Sequence, residues 1–572
     1  MHDVQGRNRK SRREQLRLPL LVGAAALASS LLLVGIRSSM AAWQAYFAYY
    51  ASTVLEHLYP ARQKLERTYA PVDISAQPSA LSPAPGTSAA LTLGQGSDAV
   101  VGVNDSIRFQ TVEGFGATHN TLARGPNKDT LSPELRAQAI DAVYGQVRLT
   151  TGDVEVGVIE AAADAADLWA QQANDDDDPF HFNWQGFNFA GSDAAKKMLI
   201  DLAQPKGFDN YYLGLKVSVH WANKWMKAIR ATDYNPYLDE AAEQVAAGMI
   251  HWRDSYGIVT RYIQLFNEPT SGNHELDPGS AQEVIDIIKR TGDRLKREGF
   301  PSVTFVVPGE ETEERSLEVA TAILADPDAR QYIGAISYHV YPYGSTYSVI
   351  SKILKTSGHG KPDPEKVAVR RSLRDLGRKY ALPVWMTEVS HGDVPALSFD
   401  GLLGRAIHIH DEFVYANAAA YFGMTNLTDS LPVHNRTHNP FSEEGEIAIA
   451  DLSAGKIYIT GMGFAIGHYA RWLQRGAVRI EATSSNSLLL VTAFRDDAQK
   501  RLIVVLINNE DYPSRVKLQL NGFSLKLPVR FTGERSTERG AWAPITPLFH
   551  DNSSDIRFSA AARSVTTIAA DL

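Results

Sequence analysis

A repeated alternation of short apolar runs with helical patterns, between residues 111 and 456, is the feature that most constrains this fold. The apolar run at 212–219 precedes a helical pattern over 239–253, and the run at 262–265 precedes one over 281–298. Parallel strands joined by crossover helices produce this pattern. The run at 303–307 likewise precedes a helical pattern over 317–324. Further strand-like runs bring the count close to eight, which favours a closed (β/α)8 TIM barrel over an open sheet. These runs are 110–116, 146–149, 335–340, 384–386 and 418–424.

The pattern changes after residue 457, where turn residues instead of helices separate short strand-like runs. Such spacing is typical of an all-β sandwich. Residues 98–110 are strand-like as well and are expected to join this sandwich from the amino-terminal side. The sequence therefore predicts an α/β chain, with a (β/α)8 barrel over 111–456 and a side β-sandwich domain over 457–572. The strand-like runs of the sandwich are 487–494, 502–508, 514–520, 529–533 and 564–570.

The amino terminus combines a basic segment, 1–17, with an uncharged apolar stretch, 18–36. An apolar stretch of about 19 residues just spans a bilayer core as a helix, and a basic flank stays in the cytoplasm. This predicts a single-pass transmembrane helix with the remaining chain outside the cytoplasm, periplasmic or extracellular. The alternative is a cleaved signal peptide and a secreted protein, because Ser-Met-Ala at 39–41 suits a peptidase. Residues 37–97 are expected to form a helical stalk and a Pro/Ser/Ala linker.

Composition excludes several classes of function. Cys does not occur in the 572 residues, which excludes a disulfide framework, a thiolate metal site and a cysteine nucleophile. The net charge of -8 is spread over both signs, which argues against a nucleic-acid binder with its basic face. No predicted strand is followed by the glycine-rich turn of dinucleotide-binding folds. We therefore expect a neutral or small substrate, and no metal, cofactor or nucleic acid.

Two of the predicted barrel strands end in a glutamate. The first reads Ile-Gln-Leu-Phe-Asn-Glu-Pro over 263–269, and the second reads Pro-Val-Trp-Met-Thr-Glu over 383–388. Catalytic groups of barrel enzymes lie at the carboxyl ends of the strands. Hydrolysis of a glycosidic bond with retention needs one protonated carboxyl group and one ionised carboxylate. Glu268 and Glu388 suit that requirement if they face one cleft; the alternative for either is a surface residue in a salt bridge.

These strand ends, together with two further segments, resemble glycoside hydrolase family 30, within the clan of retaining barrel hydrolases. The further segments are Phe-Gln-Thr-Val-Glu-Gly-Phe-Gly-Ala at 109–117 and Lys-Val-Ser-Val-His-Trp-Ala-Asn-Lys-Trp-Met-Lys at 216–227. The resemblance covers roughly residues 98–572. It implies a (β/α)8 barrel packed against a side β-sandwich built from both ends of this region, metal-independent retention and activity on β-linked sugars. It also implies that Glu268 is the acid/base and Glu388 the nucleophile.

The chain departs from the family at two places in the expected substrate cleft. His-Trp-Ala-Asn at 220–223 replaces the usual Ser-Pro-rich stretch of the third strand, and Tyr-Phe-Gly-Met at 421–424 lacks the Trp that commonly floors the sugar site. Because of these changes, the family's substrates are not carried over.

The expected function is hydrolysis of β-glycosidic bonds in a polysaccharide or oligosaccharide, such as an exopolysaccharide, by double displacement. One alternative is a hydrolase of glucosylceramide-type glycolipids, suggested by the membrane tether. Another is a tethered sugar-binding protein without turnover. The expected topology also suggests polysaccharide synthesis or export machinery as a partner.

A further group of residues is expected to bind substrate. Asn267 could donate to the sugar 2-hydroxyl, and Arg148 could hold the nucleophile ionised or form a structural ion pair. His339 and Tyr341 end another predicted strand and are expected to hydrogen-bond the nucleophile or the sugar. Trp221 and Trp225 are stacking platforms or core residues, and Arg436 is a candidate for gripping an acidic sugar. The acidic run Glu310, Glu311, Glu313 and Glu314 is expected to be a rim loop, from which one side chain could reach a sugar hydroxyl.

Overall fold

The computed structural model of the chain describes residues 97–119, 131–150, 178, 180–185, 187, 201, 204–206, 212–213, 224–271, 278–341, 364–389, 397, 399–429, 446–452, 454–523, 528–550 and 556–572. All of them belong to one of the two units into which the chain divides, the unit formed by 64–342 and 355–572. The predicted cytoplasmic tail, membrane helix and nearly all of the stalk and linker lie outside the described residues, as do Trp221 and Arg436. Within these described ranges, no helix is both long and apolar enough to cross a bilayer.

The strands of the barrel wall lie side by side in one sheet. Numbering starts with β1 (Ser97–Thr111), which belongs to the second sheet, and the barrel strands follow it: β2 (Gly114–His119), β3 (Tyr212–Leu213), β4 (Tyr262–Gln264), β5 (Thr304–Glu310), β6 (Ile333–His339), β7 (Val384–Glu388) and β8 (Ala418–Asp429). Their spatial order is β2, β8, β7, β6, β5, β4, β3, and each neighbouring pair is parallel. Because the last barrel strand, β8, pairs with the first, β2, the sheet has the strand order of a barrel wall. A hairpin of β9 (Glu446–Asp451) and β10 (Lys456–Ile459) pairs with the far end of β8.

Helices fill most of the described connections. They are α1 (Pro133–Ile140), α2 (Lys224–Thr232), α3 (Tyr234–Tyr256), α4 (Ala281–Arg297), α5 (Glu313–Ala325), α6 (Pro327–Arg330), α7 (Pro364–Tyr380), α8 (Phe399–Asp411) and α9 (Gly461–Ala470). Local capping rules explain where two of them begin. The Ser280 side chain accepts from Glu283 N before α4, and the Thr312 side chain accepts from Arg315 N before α5. Basic residues in the last turn of α4 complement the helix dipole.

The segment predicted as the second barrel strand, 146–149, is not a strand. Residues Asp141–Val147 continue α1 as a π-helical turn, which ends where Arg148 adopts a left-handed conformation with φ 65°. Thr150 N then donates to Phe115 O of β2 over 3.1 Å, so the chain joins the barrel wall just after the predicted run. Val147 and Leu149 are buried and Arg148 is exposed. Over so few residues, a helix end shows the same alternation as a strand.

Apolar side chains fill both sides of the barrel wall. Inside the barrel, the Trp385 ring centroid lies 4.8 Å from that of Tyr262 and 6.1 Å from that of Phe422. Neighbouring strand residues such as Ile263 and Met386 belong instead to the large core that the helices cover. The two sets alternate because successive strand residues point to opposite faces. The barrel centre is therefore a packed core, as expected for this architecture.

The second sheet completes the β-sandwich. It comprises β1 and β11 (Val478–Ser484), β12 (Leu489–Asp496), β13 (Arg501–Asn508), β14 (Ser514–Asn521), β15 (Val529–Thr537), β16 (Gly540–Pro544), β17 (Leu548–His550), β18 (Ile556–Ala560) and β19 (Ser564–Asp571). β1 lies between β11 and β14, antiparallel to the first and parallel to the second. The strand before the barrel thus belongs to the same sheet as the strands after it.

The sandwich and the barrel share buried surface through β13. Its residues Leu502, Val504 and Leu506 lie in the sandwich core. The alternate residues, Ile503, Val505 and Ile507, lie in the core that surrounds the barrel. Helix α9 is buried in that same core, so barrel packing continues past the predicted boundary at residue 457 and the sandwich strands begin at Val478.

Candidate active site

Glu268 lies in a tight turn directly after β4. Its φ is 49°, a left-handed conformation that a residue other than glycine rarely adopts and that costs free energy. Its N–H donates to Gly309 O in β5 over 2.8 Å, and the residue is buried. The fold therefore holds this glutamate in a strained position at the carboxyl end of the barrel.

Glu388 is the last residue of β7 and is also buried. The Tyr341 hydroxyl donates to its Oε1 over 2.6 Å. Val340 N donates to the Glu388 main-chain oxygen over 3.1 Å. Both contacts come from residues that directly follow β6, so the neighbouring strand fixes the backbone and one carboxylate oxygen of Glu388.

His339 brings these two glutamates into one cluster. It is the last residue of β6, it is 0% exposed, and its Nδ1 lies 3.3 Å from Glu268 Oε1. One side-chain oxygen or nitrogen from each of Glu268, His339 and Glu388 lies within 4.8 Å of the other two. Retaining glycosidases place their carboxyl groups roughly 5–5.5 Å apart, whereas inverting enzymes leave roughly 6.5–9.5 Å for a water molecule. One oxygen of each glutamate lies within the shorter of these two spacings.

The same three side chains also offer the nitrogen and oxygen atoms that a divalent metal ion would bind. Chelation is therefore a useful control for any activity assigned to this cluster.

Other residues of the predicted site have different outcomes. Asn267 is buried in the same turn as Glu268. His339 contacts the predicted acid/base, whereas Tyr341 contacts the predicted nucleophile. Trp225 lies in α2.

The structure does not bring Arg148 next to the predicted nucleophile. Arg148 lies two residues before Thr150, which bonds to Phe115 near the start of β2. It is therefore at the amino-terminal end of the barrel, whereas Glu388 ends β7 at the opposite rim. The exposed Arg148 guanidinium donates to Arg471 O over 3.0 Å.

The acidic run after β5 also differs from the expected rim loop. Glu310 is the last residue of β5 and is 0% exposed, and its Oε1 accepts from Thr270 N over 3.1 Å. Burial raises the pKa of Glu310 to about 7. Burial and the nearby Glu268 carboxylate raise the pKa of Glu311. Two further carboxyl groups thus lie close to the turn that carries Glu268.

A sequence signal for this arrangement exists. Thr312 followed by Glu313 and Glu314 is an N-cap with acidic residues in the first helical turn. This pattern places the start of a helix inside the acidic run and leaves Glu310 at the end of the preceding strand.

Comparison with known proteins confirms the resemblance to glycoside hydrolase family 30. The model of the glycosyl hydrolase family 30 beta sandwich domain matches residues 476–568. Glucuronoxylanase XynC of Bacillus subtilis is 24% identical over 290 residues, 50% of this chain and 55% of that protein. The chain therefore spans about half the length of that relative. Putative glucosylceramidase 2 of Caenorhabditis elegans is 24% identical over 399 residues, 66% of this chain and 70% of that protein.

A solved structure shares the fold. The catalytic domain of GH30 xylanase C from Talaromyces cellulolyticus superposes with a TM-score of 0.59 at 16% identity, covering 83% of this chain and 100% of that domain. Together with the parallel barrel sheet and the second sheet, this likeness identifies a TIM barrel with a β-sandwich.

Proposed function

We propose that this chain, a relative of glycoside hydrolase family 30, hydrolyses β-glycosidic bonds with retention of anomeric configuration. One observation carries the proposal: side-chain atoms of Glu268 and Glu388 lie within 4.8 Å of each other at the carboxyl end of the barrel. That spacing leaves room for direct attack on a sugar and too little for a water molecule between carboxylate and substrate.

In this proposal the two glutamates take the two roles that the resemblance to the family implies for them in a double displacement. Glu388 attacks the anomeric carbon and forms a glycosyl-enzyme ester while Glu268 donates a proton to the departing oxygen. Glu268 then removes a proton from water, which attacks the same carbon and releases Glu388. The Tyr341 hydroxyl, 2.6 Å from Glu388 Oε1, orients the attacking carboxylate. His339, 3.3 Å from Glu268 Oε1, orients the acid/base.

A mechanism-based inactivator tests this assignment. A 2-deoxy-2-fluoro β-glycoside with a good leaving group should esterify Glu388, and peptide mass spectrometry should find the added sugar on that residue. Glu388→Gln is the matched control and should take no label. NMR of the first product should show the β-anomer. A first product of inverted configuration, or a label on another residue, would contradict the proposal.

Polysaccharides or oligosaccharides are the favoured substrates, because the relatives and the solved structure include a glucuronoxylanase and a xylanase. A glycolipid is the second candidate, favoured by the likeness to a protein named putative glucosylceramidase. Turnover on a panel of β-linked xylans, glucans and galactans should be compared with turnover on glucosylceramide in detergent micelles. Activity on the lipid alone would reverse the order of the two candidates.

The amino-terminal segment supports a location at the membrane, with residues 18–36 as a single-pass anchor and the barrel outside the cytoplasm. Tethering would let the enzyme trim chains delivered by a polysaccharide synthesis or export machine. Membrane fractionation and amino-terminal sequencing of the mature protein test the anchor: recovery in the soluble fraction with a new terminus near Ala41 would indicate a secreted form instead. An unchanged polymer length distribution in cells that carry Glu268→Gln would exclude the trimming role.

A further inference from the structure

We infer that Glu310 is a positioning residue, whose ionised carboxylate clamps the turn that carries the acid/base Glu268. The inference rests on the proposed retaining mechanism and extends it, because it assigns a function to a buried carboxylate that bonds to Thr270, in the turn after Glu268.

The first part of the clamp is a set of hydrogen bonds to Thr270, two residues after Glu268. Thr270 N lies 3.1 Å from Glu310 Oε1 and 3.4 Å from Oε2. The Thr270 hydroxyl accepts from Arg315 Nε over 2.7 Å. Glu310 itself is fixed by α5, because its N–H donates to Ser316 Oγ and its main-chain oxygen accepts from the same hydroxyl, both at 3.2 Å. The end of β5 and the first turn of α5 thus grip the turn after β4.

The second part of the clamp is Gly309. Its main-chain oxygen accepts from Glu268 N over 2.8 Å, and its φ is +65°. A Cβ at this position would lie 3.2 Å from Gln264 Nε2 and 3.3 Å from His339 Nε2, closer than most Cβ contacts. The end of β5 therefore contacts the backbone of the acid/base and also lies against the imidazole whose other nitrogen faces the Glu268 carboxylate.

A purely structural role does not explain why this residue is a glutamate. A glutamine would also accept from Thr270 N, and it would not place an ionisable group at this fully buried position. Burial raises the Glu310 pKa to about 7, against the opposing effects of the bonds from Thr270, of Arg315 in α5 and of His339 in β6. What the carboxylate adds is a charge-assisted hydrogen bond, which is roughly twice as strong as a neutral one. Burying the charge costs free energy, and the stronger hydrogen bond that it makes holds the Glu268 turn more tightly.

The dependence of rate on the leaving group distinguishes this role from general stabilisation. Phenyl β-glycosides need proton donation to the departing oxygen, whereas 2,4-dinitrophenyl β-glycosides depart without it. The probes are the phenyl and 2,4-dinitrophenyl xylosides or glucosides, whichever sugar the full-length wild-type protein turns over. We expect Glu310→Gln to lose about tenfold in kcat/KM on the phenyl glycoside at pH 8, and less than about twofold on the dinitrophenyl glycoside.

The same experiment has a pH signature. Below the Glu310 pKa the wild-type side chain is neutral as well, so the ratio of wild-type to Glu310→Gln activity on the phenyl glycoside should approach one at pH 5 and rise toward pH 8. Glu314→Gln is the matched control, because Glu314 lies in the same acidic run but is exposed and pairs with Lys366. It should follow the wild type at every pH. Arg315→Gln loosens the same turn from the other side and should show a smaller loss with the same leaving-group selectivity.

The outcomes separate this inference from the proposed function. Glu268→Gln should lose activity on the phenyl glycoside and keep the glycosylation step on the dinitrophenyl glycoside; failure there contradicts the retaining mechanism itself. If Glu268→Gln behaves so, but Glu310→Gln loses activity equally on both glycosides or shows a ratio independent of pH, only the positioning role is refuted. Thermal melting of each variant verifies that the fold is intact.

Discussion

Replacing Arg370 with methionine should destabilise the folded barrel, because this arginine pairs with two buried glutamates. Arg370 Nη2 lies 2.6 Å from Glu412 Oε1 and 3.2 Å from Glu313 Oε1, and both glutamates are 0% exposed. Removing one partner of a buried ion pair costs about 3–5 kcal/mol, because the remaining charge is buried without compensation.

Other contacts of the two glutamates moderate this cost. Glu313 keeps Lys366 Nζ at 2.9 Å, and Glu412 keeps the Tyr338 hydroxyl at 2.5 Å. We therefore expect the lower end of the range, a loss of about 3 kcal/mol in the free energy of unfolding at pH 8.

The loss should depend on pH with a defined sign. Burial raises the pKa of Glu313 and of Glu412, and Arg370 opposes that shift in both. A carboxyl group with a raised folded-state pKa contributes stability at low pH that is lost as pH rises through that pKa. Without Arg370 this loss becomes larger, so the variant should be closer to the wild type at pH 5 than at pH 8.

Urea unfolding followed by tryptophan fluorescence at the two pH values measures the difference. Arg371→Met is the matched control, since the neighbouring Arg371 is exposed and lies over the Tyr415 ring. The reasoning is refuted if Arg370→Met and Arg371→Met unfold at the same urea concentration, or if the loss is equal at both pH values.

Three further predictions concern the active-site cluster. Tyr341→Phe removes the donor 2.6 Å from Glu388 Oε1 and should lower kcat/KM by about tenfold to a hundredfold with unchanged thermal stability, which steady-state kinetics and melting curves check; an unaltered rate would mean that this hydroxyl does not orient the nucleophile. Glu310→Gln removes a buried carboxyl group whose pKa of about 7 lies above its ordinary 4.5. The wild type should therefore lose up to about 3 kcal/mol in the free energy of unfolding between pH 4.5 and 8. The variant should lose much less, and urea titrations at the two pH values measure the difference. Dialysis against EDTA should leave turnover unchanged, because the proposed mechanism uses Glu268 and Glu388 directly; activity that disappears and returns with a divalent ion would identify a metal site at the cluster.

The sequence predicts those parts of the fold whose cause is local. The helical pattern over 281–298 corresponds to α4 because an N-cap serine, an apolar stripe and a basic last turn all act within one segment. The strand at 98–110 corresponds to most of β1 for a similar reason. The run at 146–149 failed because four residues are too few to separate a strand from a helix end, and the left-handed Arg148 that ends the π-helical turn has no signature of its own. The boundary at 457 stays a prediction; helix α9, which follows it, is buried on every side and packs in the core that surrounds the barrel, a contact that no local pattern records.

The candidate site shows the same division between local and long-range causes. Glu268 and Glu388 are recognisable because each ends a short strand motif. For Glu310 the helix N-cap at Thr312 indicates only that a strand ends before it. Its burial arises from contacts with Thr270 and Ser316 that form only when β4, β5 and α5 meet.

The order of the strands explains how Glu310, at the end of β5, is connected to both Glu268 and Glu388. Glu268 follows β4 and Glu388 ends β7, and these two strands are separated in the wall by β5 and β6. β5 holds Glu268 through Gly309 O, and β6 holds Glu388 through Tyr341. The two middle strands are joined at the same rim, where Tyr341 N donates to Glu311 O over 3.1 Å. The spacing between Glu268 and Glu388, the proposed acid/base and nucleophile, is thus set by one continuous series of contacts across four neighbouring strands. A change at the end of β5 should therefore alter the orientation of Glu268 first and reach Glu388 only through Tyr341, which is why proton donation should fail in Glu310→Gln before nucleophilic attack does.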